Sequence, residues 1–346
     1  MTTYATVADL ATRPCIEIPR LALLAASYLA MPNAWQTANK LWIYIIGHGF
    51  EVIRRALPNS IIVSQSSPAR THHGVMFNKW RALQMLPEYG AFCLVDTDVV
   101  LLRPPMFPFS VGRIVSARIA GTPKVTAARW REFYRQLSIT VPEERFVATS
   151  WLCGTPSARS NYAADASAMF PYFNGGVLFG DSPRILLKLW QEMQRSIQRL
   201  CDVRIDLRDE VVGNDQVSLS LLLVKAGQHT FQPLSFNNNA DLRMLATGLV
   251  SAPDACIVHL HGIFSSYGRE CVAHSDPGSC IEESVFSQLR AQHTSKPLTV
   301  SGGDIISRGI RERFGLLLRE FTTLLSGSSA PKMTWQTNSA ASSVKF

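Results

Sequence analysis

The chain has 346 residues, 47% of them hydrophobic and 17% charged, with a formal net charge of +8 and a pI near 9.3. Those proportions exclude a disordered chain and leave room for one large domain or two modest ones. The positive balance suits anionic small molecules or an acidic membrane surface, whereas the absence of any lysine/arginine block or basic-aromatic repeat argues against nucleic acid.

Read in chain order, Tyr4–Ala8 is a short strand followed by Asp9 and a polar stretch. Leu21–Met31 is apolar but too short to span a bilayer, and Met1–Ala11 lacks the basic-then-apolar pattern of a secretion signal. A cytoplasmic protein is therefore expected. Ile18–Leu29 predicts a helix with Pro19 in its first turn. Leu41–Ile46 is a buried strand, Glu51–Ala56 a short helix and Ile61–Ser64 a further strand. Phe77, Trp80, Leu83 and Leu86 recur at helical spacing, so Met76–Leu86 is a helix. Strands alternating with helices predict βαβ units and a mostly parallel sheet.

Phe92–Leu102 is almost wholly apolar except for Asp96 and Asp98, and it reads as a strand buried on both faces. Residues i and i+2 of a strand share a face, so both carboxylates would open into the crevice at the sheet's carboxyl end. Buried carboxylates are costly unless paired or bound to metal, and two hard oxygen ligands suit Mn²⁺ or Mg²⁺. The competing reading is a turn between two short strands with both aspartates solvated.

Periodicity is poor from Gly112 to Met169, with one helix expected near Thr126–Gln136; long irregular insertions of this kind are usually binding loops. Phe170–Phe179 returns to strand character around Asn174-Gly175-Gly176. Ser182 and Pro183 then open a helix whose apolar face is Leu186, Leu189, Trp190, Met193 and Ile197. Val217–Ala226 is another helix and Ala255–Leu260 another strand. Asp304 caps a helix striped by Ile306, Ile310, Phe314, Leu317, Phe321 and Leu324. With its arginines off that stripe, it could lie on an anionic membrane, or pack on its own domain or a second subunit. Ser326–Phe346 has the composition of a disordered tail. Residues 1–300 are thus expected to form one domain, with an amphipathic helix over 301–326 and a tail over 327–346. The seven cysteines include no C-x-x-C pair, which argues against zinc; Cys271 and Cys280 could close a small loop.

Four polar clusters end apolar runs: Asp96/Asp98, Asn174-Gly175-Gly176, Asn214-Asp215-Gln216 and His259-Leu260-His261-Gly262. Each has a structural explanation of its own: a turn, a bulge, a helix cap and a hydrogen-bonded strand end. In this order and spacing they resemble the GT-A-fold nucleotide-sugar glycosyltransferases, over roughly Tyr4 to Gly262. The closest likeness is to the retaining group that includes glycogenin and the lipopolysaccharide galactosyltransferases. The resemblance implies a Rossmann-like, mixed but mostly parallel sheet flanked by helices, with 112–169 as a variable acceptor-side insertion. It implies transfer of a hexose from a UDP-sugar to a carbohydrate, protein or glycolipid acceptor hydroxyl, with retention.

It also implies roles. Asp96, Asp98 and His259 (with His261 as competitor) would hold Mn²⁺ or Mg²⁺ against the diphosphate, and Asn174, Gly175 and Gly176 would line the sugar site. Asp215 and Gln216 would bind and stabilise the sugar as it gains positive charge. Gly262 completes the H-x-x-G element, and Asp9 sits where relatives place a uracil-contacting acid. Lys79 and Arg81 could face the diphosphate from the helix before the Asp96 strand, although a surface lysine is the plainer expectation. Two departures stand out. The aromatic residue expected soon after Asp9 is replaced by Leu10-Ala11-Thr12, and the K-P-W segment expected after Gly262 by Ile263-Phe264-Ser265. The second departure also allows a catalytically inactive relative. A sugar-phosphate nucleotidyltransferase is disfavoured, since its glycine-rich phosphate loop has no counterpart before Gly47.

Overall fold

The computed structural model describes residues 1–69, 75–107, 115–119, 125–142, 146–147, 168–208, 214–227, 231–241, 244–245, 250–260 and 307–327. Its first strand, β1 (Thr2–Asp9), is followed by α1 (Pro14–Leu29), α2 (Asn33–Ala38), β2 (Asn39–Ile46), α3 (Phe50–Ala56) and β3 (Ile61–Ser66). Next come α4 (Lys79–Met85), β4 (Phe92–Val95), β5 (Val99–Leu101), β6 (Val115–Ile119) and α5 (Ala127–Gln136). A ribbon of β7 (Phe146–Val147) and β8 (Ala168–Met169) precedes β9 (Phe173–Gly180), α6 (Pro183–Val203) and α7 (Asp215–Ala226). The described chain ends with β10 (Phe231–Pro233), β11 (Ala240–Asp241), β12 (Ile257–His259) and α8 (Arg308–Gly327).

Seven strands form one sheet in the order β10-β6-β9-β4-β1-β2-β3. β9 runs against both of its neighbours and every other pairing is parallel, so the sheet is mixed and mostly parallel, as expected. β1 and β4 lie near the middle and are almost fully buried, which suits the apolar run of β4 and the small and β-branched residues of β1. β5 belongs to a separate three-stranded sheet with β12 and β11.

That division corrects the single-strand reading of Phe92–Leu102. The chain has to leave the main sheet after Val95 and enter the small one at Val99, and Asp96-Thr97-Asp98 is the turn that makes the step. Backbone bonds hold the turn from both sides: Asp96 N–H donates to the Gly176 carbonyl at 2.8 Å, and Leu260 N–H donates to that of Asp98 at 2.8 Å.

α1 also differs from expectation, beginning at Pro14, so that Pro19 lies inside it. Pro14 suits the first helical position, where its missing N–H would have no partner in any case. The early start brings Glu17 into the helix, its N–H bonded to the Arg13 carbonyl at 3.0 Å. Residues Val75–Asn78 form a 3₁₀ turn leading into α4, which tightens the expected helix start. Ser182 precedes α6, but its hydroxyl donates to Asp181 rather than capping the helix.

α4, α6 and α7 meet around Trp80 and Trp190, whose rings cross edge to face at 6.1 Å; the Trp190 indole donates to the Ser218 hydroxyl at 2.8 Å. On the other side of the sheet α8 packs on α1 and α3, burying Ile310, Phe314, Leu317, Leu318 and Phe321. The apolar stripe is therefore covered by the protein itself, and that removes the main motive for a membrane-lying helix. Arg308 and Arg319 remain exposed, as placed. Asp304, Ile306, residues 328–346 and the Cys271/Cys280 loop fall outside the described residues, as does most of the 112–169 insertion. Among the described residues no helix is long and apolar enough to cross a membrane.

Candidate active site

A cavity of about 200 Å³ opens at the carboxyl ends of β1 and β4. Asp9, Arg13, Glu17 and Arg20 line it from the β1–α1 side, and Asn78 and Lys79 from the start of α4. Asp96, Thr97 and Asp98 form its floor, with Gln216 and His259 closing the far side. A larger depression of about 900 Å³ between α6 and α7 gathers none of these carboxylates.

The turn between β4 and β5 brings Asp98 Oδ1 to 2.9 Å from His259 Nε2. One ligand atom each from Asp96, Asp98 and His259 lie within 4.8 Å of one another. Two ligands at about 2.2 Å from one cation and at right angles would stand roughly 3 Å apart, a separation that the 2.9 Å between Asp98 and His259 matches. The donor set, two carboxylates and an imidazole, fits Mn²⁺ better than the oxygen-preferring Mg²⁺.

His259 is almost fully buried, and the reason for Gly176 lies against it. A Cβ on Gly176 would fall 2.0 Å from His259 Cε1 and 2.4 Å from Nδ1, so only glycine lets the ring reach its place. Gly176→Ala is expected to cost about 1–3 kcal/mol of stability, as overpacking does, and to weaken Mn²⁺ binding about tenfold by tilting one ligand. Denaturant titration and a Mn²⁺ binding isotherm on the same sample would check both. Asn174 accepts the Gly176 N–H at 2.9 Å and the Asn239 amide at 3.2 Å through the same Oδ1. Its carboxamide is thus fixed by its own strand and by Asn239.

Lys79 is the main correction at the site. Far from a surface lysine, it is 8% exposed and bridges Asp215 Oδ2 at 2.7 Å and Asp96 Oδ1 at 3.0 Å, donating also to the Gly175 carbonyl at 3.1 Å. Burial alone would lower the ammonium pKa, but the Asp215 and Asp96 carboxylates outweigh it and hold Lys79 above the usual lysine range. Burial pushes Asp215 upward from the ordinary carboxylate range, with Lys79 acting against that shift. The 2.7 Å contact is an ion pair, with Lys79 charged. Arg81 is half-buried and donates to the Ser67 and Pro68 carbonyls, outside the cavity lining.

Asn214 caps α7 by accepting the Gln216 N–H at 3.2 Å. The cap and the site are compatible: it aims Asp215 inward to Lys79 and leaves Gln216 on the cavity wall. Asp9 accepts the Ala11 and Thr12 N–H groups, both at 3.1 Å, through one oxygen and the Asn78 amide at 3.1 Å through the other. Gly47, at φ +93°, packs on this loop so closely that a Cβ would lie 2.6 Å from Ala11 N. Gly262 and His261 lie outside the described residues.

Sequence reasoning missed the α1 charges. Glu17 is 2% exposed, accepts the Thr97 hydroxyl at 2.6 Å and meets Arg20 and Arg13 at 3.3 Å each. Arg20 reaches on to Asp98 Oδ2 at 3.2 Å. Burial raises the Glu17 pKa, with Arg20, Thr97 and Arg13 opposing. The available signal was the i, i+4, i+7 spacing of three charges at the head of an otherwise apolar helix. A second unforeseen pair is Arg118 with Asp241 at 3.5 Å, Arg118 standing opposite Asn174 on the neighbouring strand β6; burial lowers the Arg118 pKa to about 10 against the pull of Asp241.

The family model of the Rhodobacterales glycosyltransferase domain matches residues 60–227, which include the β4–β5 turn, the glycine pair and the Asn214-Asp215-Gln216 segment. No curated protein matches the chain. Among solved structures, the galactosyltransferase LgtC in complex with donor and acceptor sugar analogues is 14% identical, with a TM-score of 0.45 over 84% of this chain and 99% of its own. The glycosyltransferase GlyE of Streptococcus pneumoniae is also 14% identical, with a TM-score of 0.44 over 75% of this chain. The chain spans 55% of GlyE's length. Mouse xyloside xylosyltransferase 1 is 13% identical, with a TM-score of 0.43 over 76% of this chain and 98% of its own.

Proposed function

We propose that this chain, a GT-A-type glycosyltransferase, is a metal-dependent enzyme that moves a hexose from a UDP-sugar to an acceptor hydroxyl with retention of configuration. One observation carries the reading. Lys79, Asp96, Asp98 and His259, drawn from three separated stretches of sequence, converge on a single small cavity, and Asp215 from a fourth stands directly behind Lys79, next to two glycines. A fold has no structural need to gather three carboxylates and a buried imidazole there, and such clusters mark functional sites.

Asp96, Asp98 and His259 would hold Mn²⁺ or Mg²⁺, which supplies Lewis acidity toward a departing diphosphate. The other roles belong to the chain. Lys79 holds Asp215 and Asp96 in place. Gly176 leaves room for the His259 ring and Gly175 packs against Asp215 and Lys79, with the Asn174 amide beside them. Asp215 and Gln216 stabilise positive charge as it grows on the ring. Asp9 and Asn78 sit at the nucleoside end. The acceptor, whether carbohydrate, protein or glycolipid, would enter from the 112–169 side.

A thermal-shift panel of UDP-, GDP- and ADP-hexoses, with and without Mn²⁺, tests this. A true donor at a hundredfold excess over its Kd should stabilise the fold by about 2.7 kcal/mol, several degrees in Tm. Stabilisation by a UDP-hexose only when Mn²⁺ is present is the expected result. A flat response across the whole panel would defeat the proposal.

A further inference from the structure

The carboxylate most central to the cation site is already in the grip of another positive charge. Asp98 turns Oδ1 to His259 and Oδ2 to the Arg20 guanidinium, at 2.9 and 3.2 Å. Arg20 does not depend on Asp98 for its position. Its other terminal nitrogen is tied to Glu17 at 3.3 Å, and Glu17 is in turn fixed by Thr97 and Arg13. Only 13% of the Arg20 side chain is exposed, and it lines the cavity together with Arg13. A bare divalent cation approaching Asp98 therefore meets a guanidinium within hydrogen-bond range of its intended ligand, and like charges that close repel strongly in a partly dry site. A diphosphate arriving with the cation changes the balance. It offers Arg20 an anionic, fork-matching partner in the same cavity.

We propose that Arg20 is an internal counter-ion that latches the cation site. It neutralises Asp98 in the empty enzyme and moves to the diphosphate when a cation and a nucleotide enter together, so that the two ligands bind cooperatively. The latch rests on the reading of Asp96, Asp98 and His259 as cation ligands. Coupling of this kind is reciprocal: whatever nucleotide does for cation affinity, cation does equally for nucleotide affinity.

The test is a Mn²⁺ titration of the full chain, reading free aqueous Mn²⁺ by electron paramagnetic resonance, with and without saturating UDP. Wild type should bind Mn²⁺ alone at least tenfold more weakly than Arg20→Gln does. Saturating UDP should tighten Mn²⁺ binding at least tenfold in wild type and less than threefold in the variant. Arg20→Lys, which keeps the charge, should stay within threefold of wild type for Mn²⁺ alone. Arg20→Met preserves the packing of the stem and serves as the neutral variant if Arg20→Gln fails to fold. Equal affinity of wild type and the neutral variant for Mn²⁺ alone would overturn the latch while leaving the cation site intact. Absence of Mn²⁺ binding in every folded variant, with or without UDP, would instead remove the cation site on which the latch depends.

Discussion

Asp98→Asn should lower Mn²⁺-dependent release of UDP from a UDP-hexose by about a thousandfold, the scale on which removal of a group stabilising transition-state charge is felt. The substitution keeps the shape of the side chain and can still meet His259, but it removes the charge that a cation, Arg20 and His259 all address. Its effect on folding should be modest, because Asp98 is held by its backbone carbonyl as well as its side chain. Product release measured alongside a melting curve therefore separates chemistry from folding. If the variant releases UDP within tenfold of wild type at the same Mn²⁺ concentration, the acidic turn is not where the diphosphate's charge is managed. Asp9→Asn offers a contrast, since its carboxylate is engaged by Ala11, Thr12 and Asn78 rather than by the cluster.

Lys79→Met carries the largest expected penalty on stability, about 3–5 kcal/mol, the usual cost of leaving a buried charge without its partner. Asp96 is 30% exposed and can recover water, but Asp215 at 1% cannot. The expected outcome of a urea titration is a lower midpoint with an unchanged slope. Adding Asp215→Asn to Lys79→Met should restore much of the loss, because the stranded carboxylate is then gone. The double-mutant cycle should give a coupling of more than 1 kcal/mol between the two positions. A single variant within 1 kcal/mol of wild type would mean that water reaches Asp215 freely and that the pair is not the structural core of the site.

Much of the site was readable because chemistry-bearing residues interrupt apolar runs. Asp96, Asp98, Asn174, Asp215 and His259 each stand where a buried strand or helix begins or ends, and an isolated polar group there needs a reason. The parallel βαβ order was readable too, from alternating periodicities in the first hundred residues. What escaped depended on pairing over long distances. Nothing local to Phe92–Leu102 says that its two halves join different sheets, since both halves are equally buried. The reversed direction of β9 is likewise set by its partners β4 and β6 rather than by its own composition. Lys79 looked like a surface residue because lysines usually are, and only the folded arrangement brings two carboxylates to it. Arg13 and Glu17 were hidden by an expected helix start placed after them, and Arg20, inside the expected helix, showed nothing locally of its distant acidic partner Asp98.

The docking of the last described helix on α1 ties distant parts of the polypeptide into one mechanical unit. The rod that carries Arg13, Glu17 and Arg20 into the cleft is braced by side chains some three hundred positions downstream. Without that helix the rod would keep its packing against β1 and β5 but lose this brace. A chain ending before Ile310 is therefore expected to hold its cleft less firmly, seen as a lower urea midpoint than that of the full chain.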